Sequence, residues 1–277
     1  MLGKQSKSNT SKESIIFNWN EKDFESQLRT CEKDDEVQIA LQFLNDKNLQ
    51  ILEAGCGQGR VVKYLYDLGF KDVHGIEINR KAVEFLNKRF PELNVIHGSI
   101  LQMPYHKESF DIVLSYGVIE HFPDGPHVPM KSMYDILKPG GIVVVTVPIL
   151  NKIRKIKNFL SHFDVRQKDI IRKIFGKNPI IKNINKFSYY VFPQIGNFHE
   201  YRFTQKQFEN ICINSNFKII KSISIAHEDG VYHCFGPRFI KFENSEWKMN
   251  KIVSFINNLF KKIPNFHNHM HMCVLQK

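Results

Sequence analysis

Apolar positions along the chain recur with two periods, and the alternation between them is the first structural signal. Residues 15–28 carry Ile, Phe, Trp and Leu at helical spacing, and 36–44 (EVQIALQFL) keep that period. Residues 50–54 form the short apolar run of a buried strand, and a helical stretch over 61–68 follows, stopped by Gly69. The beat repeats with strands over 72–78 (DVHGIEI), 94–98, 110–116 (FDIVLSY) and 142–147, and with helices over 81–89 and 130–137, the last broken by Pro139, Gly140 and Gly141. Strands alternating with helices predict an α/β fold with a parallel, doubly wound, Rossmann-like sheet.

The beat lapses twice. Residues 150–203 are basic and aromatic (KIRKIKNFL, IIRKIF, KFSYYVF). It resumes with a helix over 204–216, opened by a T-x-x-Q capping box at Thr204 and Gln207, and a sixth strand over 217–226. A second irregular stretch, 227–268, holds a helix over 251–262, and an apolar strand over 270–275 follows. One domain over 15–277 with insertions at about 150–203 and 227–268 is the expected organisation, preceded by a polar, disordered 1–14 (MLGKQSKSNTSKES).

Composition narrows the field. The 42% hydrophobic content supplies a sizeable core, and the formal charge of +11 points to acidic partners: nucleic acid, anionic lipid or an anionic substrate. A Lys-, Asn- and Ile-rich genome gives the same balance. Five cysteines without a C-x-x-C pair argue against a disulfide framework or zinc ribbon and fit a reducing cytoplasm. The longest apolar run, 142–150, falls short of the ~18 residues of a membrane span. No transmembrane segment is expected. A cytoplasmic protein, with peripheral membrane contact compatible with its charge, is.

The chemistry concentrates in LQILEAGCGQGR (49–60), where Glu53 precedes Gly55, Gly57 and Gly59. A dinucleotide fingerprint, G-x-G-x-x-G, needs its third glycine at position 60, and that residue is Arg60. The spacing is E-x-G-x-G-x-G instead. A carboxylate ahead of the glycines repels pyrophosphate and can hold the ammonium of a methionine moiety. Glu77, at the end of the second strand, stands where a carboxylate can accept both hydroxyls of a ribose.

Four stretches in this order resemble the motifs of class I S-adenosylmethionine-dependent methyltransferases: ILEAGCGQGR the first, HGIEIN the ribose-binding one, FDIVLSYGVIEHF the fourth-strand motif and LKPGGIVVVTVP the fifth. The chain is most similar to the branch of small-molecule and quinone-biosynthesis (type 11) enzymes, where HEYRFT before a capped helix also recurs. The resemblance implies a seven-stranded sheet of order 3-2-1-4-5-7-6 with strand 7 antiparallel, and S-adenosyl-L-methionine as cofactor. It carries cofactor contacts onto Glu53, Gly55, Gly57, Gly59, Glu77, Ile78, Ser99, Ile100 and Ser115. Ser99 stands where the family usually has an Asp for the adenine; a hydroxyl accepts that bond more weakly, so the Ile100 backbone must share it. His121 and His199 are the candidate catalytic bases, and Tyr116, Tyr201 and Arg202 the candidate substrate contacts. The tail HNHMHMC puts His267, His269, His271 and Cys273 on one face if extended, but the branch needs no metal and none is expected.

In the family's topology both insertions leave the carboxyl edge of the sheet, where ligands bind. With the helix over 15–28 they should form a lid. Its aromatics (Phe159, Phe163, Phe187, Tyr189, Tyr190, Phe192, Tyr232, Phe235) suggest an apolar or ring-bearing small-molecule acceptor, and its cations an anionic group or an anionic membrane surface. Two alternatives compete. A nucleic-acid methyltransferase would suit the charge, but 115–118 is SYGV rather than an N-P-P-Y-type turn and no Pro-Cys nucleophile follows. A non-catalytic S-adenosylmethionine-binding protein would need the glycine loop alone.

Overall fold

The computed structural model describes residues 24–161, 181–184, 187–191, 198–243 and 245–277. Two short helices, α1 (Phe24–Thr30) and α2 (Asp35–Leu41), lead into β1 (Gln50–Ala54), α3 (Arg60–Asp67), β2 (Asp72–Glu77), α4 (Arg80–Arg89), β3 (Asn94–His97), β4 (Phe110–Tyr116), α5 (His127–Ile136) and β5 (Leu137–Pro148). The first insertion supplies α6 (Lys152–Ser161) and the strands β6 (Ile181–Ile184), β7 (Phe187–Val191) and β8 (Phe198–Arg202). There follow α7 (Gln205–Asn214), β9 (Lys218–Ile225), α8 (His227–Phe235), the hairpin β10 (Ile240–Glu243) and β11 (Glu246–Met249), α9 (Lys251–Lys261) and β12 (Met270–Gln276).

Seven strands form one sheet in the order β3-β2-β1-β4-β5-β12-β9. The first five pair in parallel, while β12 runs antiparallel to both β5 and β9. Counting only these core strands, the order is 3-2-1-4-5-7-6 with the seventh reversed, as expected. Period-two alternation splits the side chains between two layers. Leu52 and Ala54 of β1 pack with Met130 and Met133 of α5 and Phe208 and Ile211 of α7. Ile51 packs on the other face with Val61, Val62 and Leu65 of α3 and Val83 and Leu86 of α4. Each such buried aliphatic side chain is worth about 1.5–3 kcal/mol, so the two layers fix the sheet and, with it, the edge where its parallel strands end.

Elements depart from the sequence pattern where local spacing carries little information. Strand β5 begins directly after α5: Gly140 takes a left-handed φ of 78°, and the register jumps so that Phe110 faces Leu137 while Ile112 faces Ile142. The second insertion opens with α8, a helix that HEDGVYHCF does not announce because of its low helix propensity. Its Gly230 is required by packing: a Cβ there would lie 1.9 Å from the carbonyl oxygen of His267. The helical expectation over 15–23 and the disordered one over 1–14 lie outside the described residues.

Candidate functional site

The carboxyl end of β1 runs into a loop whose three glycines all adopt left-handed φ angles: 85° at Gly55, 56° at Gly57 and 71° at Gly59. L side chains rarely take that region. Gly55 is further constrained, since a Cβ would lie 2.7 Å from the Val118 side chain. The turn is tied to β2 by the Gly55 and Cys56 N–H groups, which donate to the Ile76 carbonyl at 2.9 and 3.1 Å. The second strand's acid completes the tie. Glu77 is buried, and its carboxylate accepts from the Gly57 N–H at 2.8 Å and the Asn79 N–H at 2.8 Å.

This loop borders a cavity of about 170 Å³. Of the sequence candidates, Glu53, Gly55, Gly57 and Tyr116 line it. Glu53 is buried, and its Oε2 has no hydrogen-bond partner among the described residues. Burial pushes its carboxyl up to about 8, with Arg60 opposing the rise. Gly59 caps the start of α3 beside the cavity. Ile78, Ser99 and Ile100 stand just past the ends of β2 and β3: the Ile78 carbonyl faces His97 Nε2 at 3.1 Å, Ser99 Oγ accepts from the Leu101 N–H at 3.2 Å, and Ile100 is buried in the core. Ser115 lies within the sheet, its hydroxyl donating to the Ala54 carbonyl at 3.2 Å.

Several lining residues were not singled out by sequence reasoning. Arg60, noted there only as a missing glycine, begins α3 and ion-pairs with Asp34 and with Glu36, the latter at 3.3 Å. It thereby draws α2 over the cavity, where Glu36 and, from α1, Gln27 join the lining. Burial raises the Glu36 carboxyl to about 7, against the opposing charge of Arg60. Thr146 and Met270 enter from β5 and β12. No local spacing could announce them, because each arrives through the sheet.

Beside the cavity, Gly117 leads into a 3-10 turn (Ile119–His121). The two histidine candidates meet here. His121 Nδ1 lies 2.9 Å from the His199 carbonyl oxygen, and the two rings are 5.6 Å apart. A carbonyl only accepts, so Nδ1 carries the proton and Nε2 keeps its lone pair. Burial lowers the pKa of both histidines, and Glu200 opposes the shift in both. Glu200 itself is held below the usual carboxylate range, its burial outweighed by Arg202, whose Nε donates to it at 2.9 Å. Glu120, which precedes His121 in the fourth-strand motif, was given no role from the sequence. It is buried, its Oε1 lies 3.8 Å from His121 Nε2, and burial pushes its carboxyl well above the ordinary range. Tyr201 is a core side chain whose hydroxyl donates to the Pro123 carbonyl at 2.7 Å, and the Tyr116 hydroxyl donates to the Glu36 carbonyl at 3.4 Å.

The histidines of the tail divide. His271 sits in β12 and faces Ser222 Oγ at 2.8 Å, and His267 contacts Asn257. His269, His233 and Asp229 bring ligand-type atoms within 4.8 Å of one another. Arg154 contacts His269 Nδ1, and this fixed positive charge works against a cation there. Of the lid aromatics, Tyr232 and Phe235 lie on α8, half in solvent; Phe163 and Phe192, and the side chains of Phe159, Phe187, Tyr189 and Tyr190, lie outside the described residues.

Comparison with known proteins bears on this geometry. Residues 52–145 match the family described as a methyltransferase domain. A probable S-adenosylmethionine-dependent methyltransferase of Mycolicibacterium smegmatis is 31% identical over 98 residues, 35% of this chain and 37% of that protein. A demethylmenaquinone methyltransferase of Chlorobaculum tepidum is 25% identical over 137 residues, 49% of this chain and 54% of that one. The chain thus spans between about a third and a half of the length of these two and of three further curated relatives, and 74% of an uncharacterized methyltransferase of Oceanobacillus iheyensis at 26% identity. The crystal structure of an S-adenosylmethionine-dependent methyltransferase from Mesorhizobium loti superposes with a TM-score of 0.54 at 12% identity, covering 89% of this chain and all of that one, which establishes the shared fold.

Proposed function

We propose, from the premise that residues 52–145 form a class I S-adenosylmethionine-dependent methyltransferase domain, that this chain methylates a small, apolar or ring-bearing acceptor. One observation carries the reading. A buried carboxyl with an unpartnered oxygen among the described residues, Glu53, stands at the head of a loop with three left-handed glycines, at the carboxyl edge of a 3-2-1-4-5-7-6 sheet. An ammonium supplies what Glu53 lacks, and the left-handed glycines let backbone approach the ligand closely. Glu77 keeps a second lone pair on each oxygen beyond its two backbone bonds, which suits a ribose diol.

When bound, S-adenosylmethionine would supply a sulfonium-activated methyl group, which the acceptor takes in line as the carbon–sulfur bond breaks and S-adenosylhomocysteine leaves as a neutral thioether. The chain's own residues then have two tasks. The loop, Glu53 and Glu77 orient the donor, and orientation is the larger part of such catalysis. The His121–His199 pair serves an acceptor that must lose a proton: His121 is neutral, with Nε2 free of its proton, and can receive it as the new bond forms. Arg202 adds positive charge beside His199, suited to an acceptor with an anionic group. A quinone-like ring fits the aromatic lid sequence, and demethylmenaquinone is what one relative's name gives as its substrate.

The direct test is calorimetry of the purified chain with S-adenosylmethionine, S-adenosylhomocysteine and NAD, followed by transfer of labelled methyl to candidate phenols and quinols. Binding of the first two and not the third, with label appearing in a small molecule, is expected. Tighter binding of NAD would end the reading, and cofactor binding without turnover on any acceptor would leave a non-catalytic binding protein.

A further inference from the structure

Among the described residues no helix is long and apolar enough to cross a membrane. One helix, however, is built inside out. In α9 (KIVSFINNLFK) the apolar residues Ile252, Phe255, Ile256 and Leu259 follow the i, i+3, i+4, i+7 spacing of a core-facing stripe. They are exposed instead, by 72%, 65%, 41% and 47%. The residue turned inward is polar: Asn257 is 3% exposed, contacts His267 Nε2 at 2.7 Å through its Oδ1 and donates to Glu228 at 3.3 Å. Lys261 pins the same face through its ion pair with Glu228. These polar contacts, with the Phe260 ring 4.4 Å from that of Phe266, anchor α9, and its stripe is left to solvent. Single exposed apolar residues need no explanation, whereas a contiguous stripe marks an interaction surface.

The charge around the stripe says which surface. Exposed Lys251 and Lys262 bracket the helix. Residues 238–263 hold six basic side chains against two acidic ones, and both acids, Glu243 and Glu246, are already ion-paired with Lys248 and Lys33. A second copy of the chain would bring like charge against like. An anionic lipid surface offers both the apolar boundary and the opposite charge.

We propose that α9 docks flat on an anionic phospholipid surface, with Ile252, Phe255, Ile256 and Leu259 in the acyl boundary and Lys251 and Lys262 at the head groups. This goes beyond the methyl-transfer reading and does not depend on it. The test is co-sedimentation of the full chain with vesicles of phosphatidylcholine alone or with about one third phosphatidylglycerol. Binding to the mixed vesicles at least tenfold tighter than to the neutral ones, weakening as salt rises, is expected. The Ile252→Ser/Phe255→Ser variant should lose about tenfold of that affinity with its melting temperature unchanged, since both side chains are already in water. Lys251→Glu/Lys262→Glu should lose the preference for phosphatidylglycerol. The proposal is overturned if the wild type stays in the supernatant with mixed vesicles at low salt, or if the serine variant sediments like wild type. It is equally overturned if the wild type proves to be a dimer that the serine substitutions dissociate, since the stripe then belongs to a second copy.

Discussion

The loop after β1 and the turn after β4 deliver groups to the same edge of the sheet, but they are made in opposite ways. The loop's shape is made by backbone: between Glu53 and Arg60 three left-handed glycines, at alternate positions, create a concave surface where a side chain would intrude. The turn's chemistry is side chain. His121 reaches its role only because β8, 78 residues later, places a carbonyl on its Nδ1. A surface made of backbone tolerates one spacing and few alternatives, whereas a pair made of side chains depends on two distant segments meeting. If this contrast is right, damage on the first side should appear in cofactor affinity and damage on the second in rate.

The largest expected effect breaks the turn. His121→Ala should lower the methyl-transfer rate by about 10²–10⁴-fold while the cofactor dissociation constant stays put, the range for a positioned acid or base. The sign of the pH dependence follows from burial. In the proposed mechanism the neutral imidazole is the active form, and burial holds its pKa below the ordinary value of 6.5. The wild-type rate should therefore hold through neutrality and fall only as pH drops below that value. A pH–rate profile of His121→Ala that keeps both the rate and the acid limb would remove the base from the mechanism; the same comparison with His199→Ala decides between the two rings.

Next in size is the loop's tie to β2. Glu77→Ala should weaken S-adenosylmethionine binding by about 1.5–3 kcal/mol, the range for hydrogen bonds to a charged group. It should also lower the melting temperature, because the Gly57 and Asn79 N–H groups lose their acceptor. Calorimetry that finds the dissociation constant unchanged would deny Glu77 any part in holding the ribose.

The same contrast explains what could be read from the chain. Strands β1 and β4 match their expected ranges because short, bounded apolar runs define both ends. The glycine loop was legible because its requirement is conformational, and few residues but glycine meet it. Glu36, Gln27, Thr146 and Met270 were not, because their place beside the loop is fixed by α1, α2 and the sheet order rather than by neighbours in sequence. Arg60 was read for the glycine it replaces, while its guanidinium ties the entering helices to the cavity. Glu120 was missed for a different reason: a carboxylate just beyond a strand carries no sign of burial in its spacing, and only the fold shows it buried.

A smaller effect sharpens the loop's side of the comparison. With its carboxyl pushed up to about 8, Glu53 is protonated in the empty protein at neutral pH and must ionise to hold an ammonium. Cofactor affinity should therefore rise with pH, by no more than about tenfold per unit, and level off near pH 8. Calorimetry in buffers of different ionisation enthalpy should register a proton released on binding below that point. Glu53→Gln should flatten the profile. If its slope matches wild type, the titrating group lies elsewhere, on the ligand itself or on Glu36.

The smallest effect probes where the side-chain half ends. Thr204 caps α7: its Oγ1 accepts from the Gln207 N–H at 3.3 Å, and Gln207 Oε1 accepts from the Thr204 N–H at 2.8 Å. The capped helix packs on the face opposite α3 and α4, and it follows directly on β8 with His199 and Arg202. Thr204→Ala should cost about 1 kcal/mol of stability, a fall in melting temperature of roughly 2–4 °C for a domain of this size. Neither the cofactor dissociation constant nor the rate should move, because β8 is also held by its pairing with β7 and by the His121 contact. A rate that drops at constant cofactor affinity would mean that the register of β8 is set by the cap behind it. The acceptor half would then extend through the sheet into α7, and the division between a backbone-made and a side-chain-made site would be a matter of depth rather than of kind.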